Sequence, residues 1–410
     1  MEKIKYYFFV LSILSSVGFL NPLGIVSPQF QKLLFYLIGV LSLYIAITRG
    51  CNLHERHYPR KSFLLLIVGM IISSFMPTFY HGQSLSVTLI STLPYFLGYI
   101  YFFIFLKLDV QYEKVIRLLW VLCFVGMSVY VINMISFPNI LFGVREENYD
   151  LTRGIARLSI PFMDFIVLLF FFSINRWIRT NKRKWILLII LSSIYIVLSV
   201  TRQSIICSFV LGILFILKKA SLIKKIAVVV ILYFCITYFI PQIPIFKTMM
   251  ELTQTQIDQN KYDDENIRLK AWKFYTYEYQ TNDITAILGN GMPSFGKSFW
   301  GNKVQKETKD NGCLMVDVGW AGFYWFFGIF ATIGIFSVLM YAAFKKKDMD
   351  KQYLTYWIIY IILTSFASGA LLYYHQILNI SIVLYLIYAK SNNKQNSYSH
   401  IKLQQFRRYN

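Results

Sequence analysis

The stretch GWAGFYWFFGIFATIGIFSVLMYAA, residues 319–343, contains no charged side chain. About 20 mostly apolar residues allow an α-helix to cross the hydrocarbon core of a bilayer, so this stretch predicts a transmembrane helix. Only 15% of the 410 residues are charged and 56% are apolar, which is too little polar surface for a soluble protein of this length. The predicted fold is all-α: one polytopic integral membrane domain, residues 1–410, of about 12 transmembrane helices. The other predicted spans are residues 6–22, 33–48, 62–80, 85–106, 118–136, 159–176, 185–200, 203–217, 226–241, 353–370 and 375–389.

The distribution of basic residues predicts the orientation. If the spans alternate, most of the 41 lysines and arginines fall on one side of the membrane, with runs at 176–184 and 345–347. The positive-inside rule makes that side cytoplasmic, so both termini, with the polar tail 390–410, are predicted to be cytoplasmic. The net charge of +21 then reflects topological anchors beside anionic lipid, and nucleic-acid binding is excluded. Residues 1–22 lack a small-residue cleavage site and predict an uncleaved first helix.

Two connections on the predicted outer side are long. The first covers residues 137–159, between spans five and six. The second covers residues 242–318, between spans nine and ten, and carries half of the 20 acidic residues. Its length and polarity indicate a partly helical extracytoplasmic loop rather than a passive connector. Its expected parts are an amphipathic helix at 245–257, a second helix at 266–275, an irregular glycine-rich loop at 288–296 and a mobile polar stretch at 303–310.

Arginine on the predicted outer side is the main functional signal, because the positive-inside rule disfavours it there. Arg153 and Arg157 precede span six, Arg202 lies in the turn between spans seven and eight, and Arg268 lies in the long loop. A guanidinium group matches phosphate oxygens bidentately, so the four arginines predict binding of an anionic ligand. The alternative for Arg202 is a turn residue whose side chain extends to the interface.

Two carboxylates and one histidine are candidates for acid–base chemistry. Asp164 lies within the first turns of span six, seven residues after Arg157, so it either acts in the reaction or orients that arginine. Asp317, at the outer end of span ten, is either a general base or a helix N-cap. His375, before span twelve, is either catalytic or a hydrogen-bonded interfacial residue. No metal-ligand spacing occurs, so no metal or other cofactor is expected.

Glycines and aromatic residues near the outer side have weaker implications. Gly319, Gly322, Gly328 and Gly334 are interpreted as positions of close helix packing. Aromatic side chains in the same region either stack on sugar rings or reflect the ordinary enrichment of aromatics at interfaces. These are Trp272, Phe299, Trp300 and Trp320.

Taken together, these features resemble the Wzy-type repeat-unit polymerases of O-antigen and capsular polysaccharide, within the O-antigen ligase superfamily. The resemblance covers most of the chain as topology: about twelve spans, both ends inside and one long outer loop late in the sequence. Local matches are RGIARLSIP at 153–161, LSVTRQS at 198–204, Arg268 followed by GNG at 289–291, and DVG at 317–319 ahead of FG at 327–328. Ligases usually carry His-Asn before this last helix, and the absence of histidine there favours a polymerase.

The resemblance implies a reaction at the outer face of a bacterial cytoplasmic membrane. A growing glycan on undecaprenyl pyrophosphate is transferred to a sugar hydroxyl of a lipid-linked repeat unit. Arg153, Arg157, Arg202 and Arg268 would bind the lipid-linked substrate, and Asp317, Asp164 or His375 would supply the base. The implied partners are the lipid-linked oligosaccharide, membrane lipid, a chain-length regulator and a flippase. The alternatives are a twelve-helix transporter or flippase of lipid-linked glycan, and an O-antigen ligase or other membrane lipid-sugar transferase.

Overall fold

A bundle of α-helices forms the protein in the computed structural model, which describes residues 2–16, 27–51, 53, 57–142, 162–199, 201–226, 230 and 267–389. The helices are α1 Glu2–Ser16, α2 Pro28–Arg49, α3 Arg60–Ser73, α4 Met76–His81, α5 Leu85–Leu108, α6 Tyr112–Ile135, α7 Met163–Thr180, α8 Arg183–Leu198, α9 Arg202–Lys219, α10 Ile267–Lys273, α11 Asp283–Leu288, α12 Phe299–Asp310, α13 Gly319–Phe344, α14 Gln352–Thr364 and α15 Tyr374–Tyr388. A short π-helix, Phe274–Glu278, continues α10, and a 3₁₀ turn, Met315–Asp317, precedes α13.

Five segments are long and apolar enough to cross a membrane: Gln29–Arg49, Arg60–His81, Leu85–Leu108, Tyr112–Ile135 and Gly319–Phe344. The shorter helix α15 is also apolar. The protein is therefore an all-α membrane protein over the part of the chain that the structure describes. The predicted spans that fall on described residues are helical, although the span at 62–80 is divided into α3 and α4, and α14 ends at Thr364 rather than at residue 370. The number of spans, twelve, stays a prediction.

Several sequence-based predictions lie outside the described residues. These are the ninth span at 226–241, most of the outer loop at 137–159, the helix at 245–257 and the tail at 390–410.

The bundle has two chemically different ends. Residues 267–318 pack on one end, which we call the loop end. There, Gln83 accepts hydrogen bonds from Ser294 N (3.1 Å) and Ser298 Oγ (2.7 Å) and donates to Met292 O (3.1 Å). These three hydrogen bonds join the long loop to the connection between α4 and α5.

The opposite end, which we call the basic end, is held together by cations. Arg176 forms a 3.1 Å ion pair with Asp350, and Arg179 contacts the same carboxylate. Lys351 is nearly buried, and its ammonium donates to Leu386 O at 3.0 Å, at the end of α15. Cations are favourable at a helix C-terminus, where carbonyl groups lack partners. The orientation of the two ends across a membrane stays a prediction.

Helix α13 is broken within its span. Gly328 has φ +75° and ψ −178°, which is outside the helical region. The break leaves carbonyl groups of the preceding turn without helical partners, and the long loop supplies donors: Asn290 N bonds to Trp325 O and Gly291 N to Phe326 O, both at 2.8 Å. The glycine-rich loop predicted at 288–296 therefore inserts its backbone into a broken transmembrane helix.

Glycine is required where this loop meets the helices. A Cβ on Gly289 would lie 2.5 Å from Gly328 N, and a Cβ on Gly291 would lie 2.6 Å from Ser73 O. Along the rest of α13, a Cβ on Gly334 would lie 2.5 Å from Leu66 N. The interpretation as a position of close helix packing is confirmed for Gly334, whereas Gly328 packs on the inserted loop.

One local prediction in the long loop is wrong. Residues 303–310, expected to be mobile, belong to α12, whose N-terminus is capped because Ser298 Oγ accepts from Gly301 N at 2.9 Å. The apolar side chains of Trp300 and Val304 are buried under that helix. The helix expected at 266–275 is confirmed as α10, with its last residues in the π-helix.

Candidate functional site

The segment 365–369, which follows α14 and which we call the 365–369 turn, is the point where the loop-end helices meet. Helix α13 begins on it: Gly319 N donates to Ser368 O at 3.1 Å and Trp320 N donates to Ser365 O at 3.0 Å. A Cβ on Gly319 would lie 2.3 Å from Ser368 O. Gly319 is therefore required, because the backbone of α13 lies too close to the turn for a side chain at this position.

The two carbonyls between these acceptors bind two other elements. Trp272 of α10 donates its indole N–H to Phe366 O at 2.9 Å and stacks on the Phe366 ring, with centroids 5.9 Å apart. Gln203 of α9 donates its amide to Ala367 O. Four consecutive carbonyl groups thus hold together the starts of α9 and α13 and the last turn of α10.

This convergence brings together the three segments that carry predicted site residues. Arg202 is the first residue of α9 and the neighbour of Gln203, and its side chain is half-buried. Arg268 lies one helical turn before Trp272 and is exposed. Asp317 is two residues before Gly319 and is half-buried. Arg153 and Arg157 lie outside the described residues.

Asp317 is not the N-cap of α13. The capping position is Val318, which has no capping side chain, and the first backbone N–H groups of the helix are bound by the 365–369 turn instead. Burial raises the pKa of the Tyr275 hydroxyl, and the nearby Asp317 carboxylate is among the charges that add to that shift. Because Val318 holds the capping position, the N-cap alternative is wrong, and the general-base alternative stays a prediction.

Asp164 is held by two other helices. It is the second residue of α7, where the helix dipole favours a negative charge. Asn379 of α15 donates its amide to Asp164 Oδ2 at 3.0 Å, and Trp357 of α14 donates its indole N–H to the Asp164 carbonyl at 2.7 Å. The carboxylate is half-buried, and its hydrogen-bond partner among the described residues is the neutral amide of Asn379.

A second contact joins α14 to the helix of Arg202. The Tyr360 hydroxyl bonds to Ser204 Oγ at 3.0 Å, and it also lies within electrostatic range of Asp164. Asp164 is thus connected through Tyr360 to the turn of α9 that begins with Arg202. Neither Tyr360 nor Asn379 was identified from the sequence, because nothing local distinguishes one polar residue in an apolar helix.

His375 is the second residue of α15 and is half-buried. Its ring stacks on Tyr373, with centroids 5.4 Å apart, and meets the Tyr374 ring edge-on at 5.8 Å. It lies one helical turn before Asn379, toward the loop end. Its surroundings are aromatic, and no carboxylate is shown orienting it.

A stack of aromatic rings supports the long loop. It runs from Trp300 to Trp325 (5.9 Å), Tyr279 (5.4 Å) and Phe274 (4.6 Å), with successive planes within 21°. His81 of α4 extends the stack, with its ring 4.2 Å from that of Trp300. This histidine was missed because Trp300 is distant in sequence.

The exposure of the predicted aromatic side chains shows which of them could stack on a sugar ring. Trp300 and Trp320 are each 5% exposed and pack inside the protein, so they are not available to stack on a sugar. Trp272 is partly exposed beside the 365–369 turn, and Phe299 is 85% exposed.

Among the described residues, no group of three or more His, Cys, Asp or Glu side chains could hold a metal ion. Comparison with protein-family models gives no match, and comparison with curated protein sequences gives none either.

Proposed function

We propose that this protein is a glycan polymerase. It transfers a growing undecaprenyl-pyrophosphate-linked oligosaccharide onto a lipid-linked repeat unit, at the outer face of a bacterial cytoplasmic membrane. The observation that supports it best is the convergence at the 365–369 turn of the helices that carry Arg202 and Arg268 with the segment that carries Asp317. Cations beside a candidate base at one end of a membrane bundle suit a phosphate leaving group and a hydroxyl nucleophile.

The reaction balances without another reactant. The acceptor oxygen forms a bond to the anomeric carbon of the growing chain while the bond from that carbon to the pyrophosphate oxygen breaks. The leaving group keeps the electron pair, so negative charge develops there, and Arg202 and Arg268 would stabilise it. The acceptor proton passes to a carboxylate. Asp317 and Asp164 are the two candidates for that role.

Transport is the second candidate, because broken transmembrane helices are common at the substrate sites of carriers. Two such breaks meet here: one at Gly328 in α13, and one between α3 and α4, where a Cβ on Gly291 would overlap Ser73 O. However, the carbonyls of Trp325 and Phe326 are already bonded to the inserted loop, so this break offers a substrate no unpaired backbone at those positions. That argument favours the enzyme.

The deciding experiment uses the purified full chain in detergent, with lipid-linked repeat units extracted from source cells that lack the gene. A polymerase lengthens the glycan by whole units without a second compartment, and gel electrophoresis of the labelled product shows a ladder. Folded protein that binds the substrate but yields no longer product would refute the polymerase and favour transport.

A further inference from the structure

We propose that the polar side chains between α7, α9, α14 and α15 form the subsite that binds the hydroxyl groups of the acceptor sugar. This inference rests on the proposed polymerase function and assigns part of its substrate to residues that the sequence did not single out. The subsite is defined by Asp164, Gln203, Tyr360, Gln376 and Asn379, and we call it the acceptor subsite.

These residues lie along a nearly closed ring that consists of hydrogen bonds, one electrostatic interaction and short stretches of chain. Asn379 bonds to Asp164, and Asp164 lies within electrostatic range of Tyr360. Tyr360 bonds to Ser204, the neighbour of Gln203. Gln203 reaches the 365–369 turn, which leads into α15, where Gln376 lies three residues before Asn379 and so on the same helix face.

The ring has more acceptors than donors. Among the residues that the structure describes, three buried oxygens in it have no hydrogen-bond partner: Asn379 Oδ1, Gln203 Oε1 and Gln376 Oε1. Asn379 is only 5% exposed, yet its single amide bonds to Asp164 through nitrogen and leaves its oxygen unpaired. An unpaired buried acceptor is destabilising, because the group has lost its hydrogen bonds to water. Three such oxygens in the acceptor subsite, one of them on the amide that binds the Asp164 carboxylate, therefore indicate a ligand that supplies donors.

Sugar hydroxyl groups fit this requirement better than a metal cation does. A sugar ring presents several O–H donors at fixed spacing, which matches acceptor oxygens that come from two different helices. A cation on Asp164 Oδ2 would instead face the amide N–H of Asn379, which already donates to that oxygen. Asp164 is the one group in the ring that can also take up the proton of the reacting hydroxyl, whose oxygen then bonds to the anomeric carbon.

The test uses substitutions that should weaken binding of the acceptor without lowering the stability of the protein. Gln376→Met keeps the side-chain length and removes an unpaired oxygen, so the melting temperature should stay the same or rise. The KM for the repeat-unit acceptor should nevertheless increase about tenfold, which corresponds to about 1.4 kcal/mol, because one hydrogen bond to the acceptor is lost. The KM for the donor should change less than about twofold. Asn379→Leu should increase the acceptor KM further.

The matched control lies on the same helix. Ser381 is buried in α15, and its hydroxyl donates to Gly98 O at 2.7 Å, away from the ring. Ser381→Ala should lower the melting temperature and leave both KM values unchanged. A change in the acceptor KM without a loss of melting temperature indicates a binding role, and the reverse result indicates a structural role.

Each other outcome has a definite meaning. Wild-type protein that does not lengthen the glycan refutes the polymerase itself. If the wild type is active and the acceptor KM is unchanged in both Gln376→Met and Asn379→Leu, the acceptor subsite alone is refuted. The unpaired oxygens then bind water instead of a sugar. If NaCl, compared with choline chloride, raises the melting temperature of the wild type but not of Asn379→Leu, the oxygens bind a cation and the inference is overturned.

Discussion

Gly289 and Gly328 pack backbone to backbone, so closely that a Cβ on either residue would lie within 2.6 Å of the other's main-chain nitrogen. Gly289 belongs to the long loop and Gly328 to the break in α13, and both have positive φ, +88° and +75°. The contact therefore depends on two residues without side chains, each in a conformation that L-residues rarely adopt. It attaches the loop that carries Arg268 to a membrane helix.

We expect Gly328→Ala to destabilise the protein severely, because the new methyl group would lie 2.4 Å from the carbonyl carbon of Leu288 and the backbone would be strained as well. The matched control is Gly296→Ala, at φ +71° with nothing within 4 Å of the added Cβ. The control isolates the conformational penalty, about 1–2 kcal/mol. Thermal unfolding of the detergent-purified protein measures both. Equal losses in the two variants would contradict the close contact.

The loop end is expected to face outward. Lys306 is exposed on α12 and Lys218 is exposed at the basic end of α9, so cysteine at either position is accessible to a reagent in water. On intact cells, Lys306→Cys should react with an impermeant thiol reagent, and Lys218→Cys should react only after permeabilisation. The unsubstituted chain gives the background. The reverse pattern would invert the topology and remove the outer-face reaction.

We expect Arg202→Lys to lose activity nearly as completely as Arg202→Ala, about 100-fold, because a point charge does not reproduce the bidentate fork on a pyrophosphate. Initial rates of glycan elongation measure the effect at equal amounts of folded protein. Arg183→Lys, at the first residue of α8 on the basic end, is the control and should keep full activity. Full activity in Arg202→Lys would favour the alternative that this side chain only extends to the interface.

The helices could be predicted from the sequence because long uncharged stretches must be helical in a bilayer, where every backbone polar group needs a partner. The break at Gly328 could not be predicted, since Phe327 and Gly328 look like part of one apolar run. It exists because Asn290 and Gly291 supply the missing donors from a distant part of the chain. The prediction of a mobile stretch at 303–310 was wrong because it was based on polarity. Lys, Gln and Glu are good helix formers, and this segment also has a small apolar face.

The candidate site was predicted in part. The arginines and acids stood out because charge is unexpected at those positions in a membrane sequence. Asn379 did not stand out, because its importance depends on Asp164, which lies 215 residues away along the chain. The 365–369 turn was missed for the same reason: it contributes backbone carbonyls, and side-chain patterns do not reveal which carbonyls will be used.

The last prediction identifies the base. If the acceptor subsite surrounds Asp164, Asp164→Asn should slow elongation by about 100- to 10,000-fold, since an amide cannot take up the acceptor proton. Donor binding should be retained, because Arg202 and Arg268 remain in place. Asp317→Asn should then have a small effect, and so should His375→Ala, whose ring is surrounded by Tyr373 and Tyr374 rather than by a carboxylate.

Single-turnover elongation with saturating donor separates these possibilities, because it reports the chemical step rather than substrate binding. Asn is nearly the same size as Asp, so the Asn379 contact keeps an oxygen acceptor at position 164 and the fold is preserved. A large loss in Asp317→Asn with nearly normal rates in Asp164→Asn would move the base to the 3₁₀ turn before α13. That result would leave the polymerase reaction intact while removing Asp164 from the chemistry.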